Sequence, residues 1–219
     1  MGYSDERFLR ISKLIDEIQG RREHEYAAST YKDRPALMEI EELINTQISL
    51  NEDKETLSDS IVLLRFLADR YESRGRFVIS AGFYNKIFVI AALLKQKYGK
   101  NVENIDDVFY TALRVRNFYV DDDCEDISAL AKRLIPEDKV ELILEERKQK
   151  RRTLKHDPIE MSEKYLDVID KVEEKIENAR QTHGHGSCHE IWQLQRKYLA
   201  EYGIEWHSPA HLNPRVHFD

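Results

Sequence analysis

Apolar side chains recur at spacings of three and four along nearly the whole chain, the period of one face of an α-helix. Phe8, Ile11, Leu14, Ile15 and Ile18 form a first stripe behind Ser4, a helix-capping residue type. Pro35 opens a second, with Leu37, Ile40, Leu43, Ile44 and Ile48 on one face. Thr56 with Asp59 resembles a capping box for a third helix, which runs to about Ser73 before Gly75 breaks it. The stretch from Phe77 to Gly99 is the most apolar, so it is expected at the centre of the core with Phe83, Ile87, Ile90, Ala91 and Leu94 inside. Helical patterns over about 105–119 and 126–134 come next, and Pro136 starts another. Asp157, Pro158 and Glu160 restart an eighth helix, expected to continue to about Arg180 with Met161, Tyr165, Val168, Ile169, Val172 and Ile176 as its stripe. Ser187 with Glu190 marks a ninth, from Cys188 to near Gly203, and Ser208-Pro209 starts one further turn that Asn213-Pro214 ends. No alternating strand pattern intervenes. The expected class is all-α, about nine helices arranged as antiparallel neighbours with short connections. Eight glycines and five prolines in 219 residues agree, because an all-β chain needs many more turn formers.

Charge narrows the function classes. Lysine and arginine total 34 against 41 acidic residues, a formal charge of −7, which argues against a general nucleic-acid binder. The basic run Arg147, Lys148, Lys150, Arg151, Arg152 and Lys155 has no interleaved aromatic residues and comes after Glu141, Glu145 and Glu146. It reads as the solvated outer end of the seventh helix. The acidic run 121–126 lacks the alternating ligands and central glycine of a calcium loop and reads as an inter-helix connection. Ser80, Asn85 and Lys86 make the apolar run Phe77–Leu94 a poor bilayer span, so no membrane role is expected. Two cysteines, Cys124 and Cys188, and an amphipathic, charged start suit a cytoplasmic chain with reduced thiols.

One segment carries a repeat-like signature. From Leu67 the chain reads LADRYESRGRFVISAGFYNKIFVIAALL. Leu67-Ala68, Tyr71, Gly75, Phe77, Ser80, Tyr84 and Ile87 stand at the spacing of a tetratricopeptide repeat, and the stretch 64–94 resembles that helix–turn–helix unit of roughly 34 residues. Small side chains at Ala68 and Ser80 permit a close helix crossing, and Gly75 permits a tight turn. The pattern departs at Ser80 and Ile87, where the family has alanine, and at Leu64, where it has tryptophan. Its proline is missing, and no second copy lies one period away. The resemblance implies protein or peptide binding on a concave helical surface, without catalysis.

Beyond Gln181 the composition changes. Six of the eight histidines, both tryptophans and Cys188 fall there. Zinc takes neutral imidazole and thiolate ligands, usually four in structural sites. His183, His185, Cys188 and His189 supply four candidates in a glycine-rich loop; His207 and His211 add two, and His217 is a further option. The expected organisation is a helical domain over 1–181 with a His/Cys/Trp-rich appendage, 182–219, docked on it. The expected function is a non-catalytic helical scaffold or protein-interaction protein with no cofactor. The alternative is a zinc-binding protein, or a metal-dependent enzyme, using the C-terminal cluster.

Overall fold

A computed structural model describes residues 5–24, 30–116, 125–149, 154–181 and 187–218. Among them are ten α-helices, one 3-10 turn and no strand, so the all-α class holds. Internal packing divides the chain into two compact units. One is Met1–Tyr26 with Arg34–Arg152, the other Ala27–Asp33 with Thr153–Asp219. The break near 152 differs from the expected division at 181/182, because the stripe of the eighth helix packs with the C-terminal segment.

The first unit contains α1 (Asp5–His24), most of α2 (Thr30–Leu50), α3 (Lys54–Glu72), α4 (Phe77–Tyr98), α5 (Ile105–Arg116), α6 (Glu125–Ala131) and α7 (Glu137–Gln149). Ser4 and residues 117–119 lie outside the described residues. Two helix starts differ from the sequence reading. Helix α2 begins at Thr30, a turn before Pro35, which sits inside it. Near a helix start, a missing N–H forgoes only one bond, so the turn ahead of the proline persists. Helix α3 is capped by Asp53, whose carboxylate accepts from the Thr56 N–H at 2.7 Å. A carboxylate serves the open N–H groups and the positive end of the helix dipole. Thr56, expected as the cap, is buried one turn inside.

Gly75 lies in the turn between α3 and α4 with φ +72°, and Gly99 ends α4 with φ +61°. L-residues rarely take this left-handed region. The two helices are antiparallel. At their crossing the buried Ser80 hydroxyl donates to the Ala68 carbonyl at 2.9 Å, as the small-residue pattern anticipates. Tyr71 stacks on Phe83 at 5.6 Å, and Phe88 meets Phe109 of α5 edge-on at 6.0 Å.

Phe83, Ile87, Ile90, Ala91 and Leu94 are all buried, which makes α4 the central helix of this unit. It is long and apolar enough to cross a membrane, yet half of its most apolar stretch is buried against other helices, as in a core helix. Not every neighbour is antiparallel. Lys86 pairs with Glu41 at 2.6 Å and Lys97 with Glu52, so α2 and α4 run in the same sense. So do α5 and α7: Lys139 pairs with Asp106, and the Arg147 guanidinium lies over the Tyr110 ring at 5.1 Å. Arg147, expected on a solvated face, is therefore buried by a cation–π contact. Lys150, Arg151 and Arg152 lie outside the described residues.

The second unit contains a 3-10 turn (Pro158–Met161), α8 (Glu163–Ala179), α9 (Ser187–Glu201) and the single turn α10 (Pro209–Leu212). The sequence pattern runs the eighth helix unbroken from Asp157. In the structure Ser162 interrupts it in extended conformation (φ −75°, ψ 144°) and recaps α8, its hydroxyl accepting from the Tyr165 N–H at 3.2 Å. Tyr165, Ile169, Val172 and Ile176 form the buried stripe of α8, packed with Leu199, Ile204 and Trp206. Spacings of four, three and four hold all four α8 residues on one face.

Candidate functional site

Chemically equipped side chains of the second unit converge where the chain leaves α9. Gly203, at φ +66°, turns it there, and its carbonyl accepts from the Lys164 ammonium at 2.9 Å. Ile204 and Trp206 are then buried, and the acidic 3-10 turn grips both Trp206 and His207. Glu160 accepts from the Trp206 indole N–H at 2.6 Å, and its other oxygen lies 3.5 Å from His156 Nδ1.

Asp157 does two jobs. One oxygen caps the turn, accepting from the Ile159 N–H at 3.1 Å. The other accepts from the backbone N–H of His207 at 2.7 Å and from its ring Nδ1 at 3.0 Å. A carboxylate can only accept, so the bonded Nδ1 carries the proton and the neutral ring keeps its lone pair on Nε2. Asp157 itself is 8% exposed. Ser208 then caps α10, accepting from the His211 N–H at 3.3 Å, and the rings of His207 and His211 lie 4.9 Å apart, inclined by 30°. An open groove of about 520 Å³ borders this pair, with Arg196 on the α9 wall, Ile204 and Trp206 as apolar lining, and Glu205 at the rim. Glu205 Oε1 is 3.9 Å from His207 Nε2.

Of the six proposed metal ligands, His207 and His211 line this groove. His183 and His185 lie outside the described residues. Cys188 and His189 sit in the first turn of α9, where the His189 ring meets Trp192 at 5.3 Å and Trp192 meets Phe218 at 5.2 Å. The His207–His211 pair shares its groove with Arg196 and Ala200, two to three turns further along α9. A rise of 1.5 Å per residue separates His189 from Ala200 by about 16 Å. Among the described residues, no three histidine, cysteine or acidic side chains are placed to hold a metal. Glu190, read with Ser187 as half of a capping box, accepts from the Gln181 N–H at 2.9 Å.

A second polar group lies in the first unit. The buried Tyr84 hydroxyl donates to Asp69 at 3.2 Å, and Arg114 pairs with Glu72 at 2.6 Å. Burial, with Asp69 and Glu72 close by, pushes the Tyr84 phenol well above its usual range. Burial also raises the Glu72 carboxyl, against the opposing pull of Arg114. Desolvation holds Tyr84 neutral, and its bond to Asp69 ties α4 to α3. Of the acidic run, 121–124 lie outside the described residues, while Asp126 opens α6 and pairs with Arg116 at 2.6 Å.

Asp157 is the site residue that sequence reading missed. It stands out in the sequence as a helix start, and nothing local connects it to a histidine fifty positions on. Comparisons with protein-family models, curated proteins and solved structures found no match.

Proposed function

We propose that the chain is a non-catalytic helical scaffold that binds a protein or peptide through its first unit. The observation that supports this is an apolar strip left in water across two helices. Met38 of α2 is 52% exposed and Val89 of α4 is 55% exposed. The Glu41–Lys86 ion pair joins these helices, and Met38 and Val89 each lie one turn from it, so all four residues share one face. Apolar side chains bracketing an ion pair suit a partner that buries them and meets the charges at the rim. The hairpin of α3 and α4 supports the same reading, since the repeat it resembles serves protein recognition. A cytoplasmic setting belongs to this proposal and rests on the low cysteine content.

Photocrosslinking from the full-length protein in its own cells tests the reading. A photoreactive residue at position 38 or 89 is expected to yield one shared protein adduct, absent when the same residue replaces the exposed Asp107 on α5. A Val89→Asp change in the position-38 probe should abolish the adduct. Equal labelling from all three positions would refute the proposal.

A further inference from the structure

Two imidazoles meet beside the groove at the end of α9, and one of them is held by a nearly buried carboxylate. We propose that His207 and His211 chelate a divalent transition-metal ion of the zinc type, with Asp157 as the residue that orients the first ligand. The inference is independent of the scaffold reading. It relocates the metal chemistry suggested by the C-terminal composition to one end of α9 and adds a positioning residue that the sequence did not single out.

Three observations carry it. First, the Asp157–Nδ1 contact of 3.0 Å places the ring proton away from Nε2, the nitrogen that would bind a metal. A carboxylate behind a metal-binding histidine fixes its tautomer and orientation and raises its basicity. The second bond, from the His207 backbone N–H at 2.7 Å, locks the residue to the same carboxylate. Second, the His211 ring lies 4.9 Å from that of His207, close enough for one ion to reach a nitrogen of each. Third, Glu205 Oε1 is 3.9 Å from His207 Nε2. Bonds of 2.0–2.1 Å in a tetrahedral site place ligand atoms about 3.3 Å apart. Glu205 would therefore close on the ion by a small rotation of a side chain that is 90% exposed.

No set of three ligands is preformed among the described residues, so the ion itself would draw Glu205 in, and water would complete the shell. An open coordination position of this kind marks an exchangeable site rather than a closed structural one. Arg196 on the groove wall opposes a dication and favours an oxyanion. With Nδ1 turned to Asp157, Nε2 is the ring nitrogen left to offer a lone pair, which a metal accepts and an oxyanion does not.

The experiment uses the full chain without an affinity tag, titrated with zinc by calorimetry. Side-chain nitrogen NMR of the histidines is recorded alongside. One ion is expected to bind, with the Nε2 resonance of His207 moving on saturation. His211→Ala should weaken binding at least tenfold. Asp157→Asn should weaken it about 10–100-fold. Asp157 also caps the 3-10 turn, so circular dichroism must show that variant folded. Glu205→Gln, a surface change, gives a second arm and should weaken binding several-fold. The double variant Cys188→Ser/His189→Ala should bind as the parent does. The proposal is overturned if no saturable zinc binding occurs, if His211→Ala binds unchanged, or if the Cys188/His189 variant loses the ion. Binding of inorganic phosphate, abolished by Arg196→Met, in place of zinc would also overturn it and make the groove an oxyanion site.

Discussion

Replacing Ile87 by alanine tests the packing argument most directly. Ile87 is fully buried on α4, the helix that supplies the most residues to the core of the first unit. The change removes three carbons, at about 0.8 kcal/mol each in lost transfer energy, or roughly 2.4 kcal/mol. The vacated space adds about 24 cal/mol per Å³ that does not collapse, so a cavity of some 50 Å³ brings the total to roughly 3–4 kcal/mol. The control sits two residues on. Val89 is 55% exposed, and Val89→Ala should stay within about 0.5 kcal/mol. Urea unfolding followed by far-ultraviolet circular dichroism is the suitable assay. Tryptophan emission is not, because Trp192 and Trp206 both belong to the second unit. A lower midpoint with unchanged slope is expected for Ile87→Ala. A loss below about 1 kcal/mol, or equal losses for the two variants, would refute the placement of α4 at the centre of the core.

Other outcomes rest on single contacts. Gly75→Ala should cost about 1–2 kcal/mol in the same assay. No neighbouring atom lies within 4 Å of the added Cβ, so the loss would come from φ +72° alone. Asp53→Ala should cost about 1 kcal/mol through the lost cap. The Thr56 N–H lowers the Asp53 carboxyl below its usual range, so its contribution is present above the unfolded carboxylate range and is lost as pH falls through the folded value. The Asp53→Asn variant should lose that part of the acid dependence. Trp206 is 3% exposed and bonded to Glu160, whereas Trp192 is half-buried. Trp192→Phe should therefore leave bluer, less quenchable emission than Trp206→Phe does. The reverse order would show the Trp206 segment undocked.

Much of the architecture is decided within a turn or two of chain, and that much could be read in advance. The left-handed conformations at Gly75, Gly99 and Gly203, and the Ser208 cap before Pro209, depend on local sterics and one short hydrogen bond. The stripe on α4 specified which of its faces are buried, because periodicity records orientation. It could not specify the covering element. The stripe of α8 is as clear as any other, yet its partner proved to be the segment containing Leu199, Ile204 and Trp206, and the boundary between units moved accordingly. Competition between neighbouring signals was also beyond local rules: Asp53 and Thr56 could both cap α3, and the carboxylate holds that place. Asp157 shows the limit most plainly. The sequence marks it as a helix start, and one of its oxygens fills that role. The other oxygen holds His207 across fifty residues, a partnership that arises only when packing of Ile204 and Trp206 carries the end of α9 back to the acidic turn. Residue type and spacing set what each group can bond; the folded path of the chain selects, by burial, which partner comes within 3 Å of it.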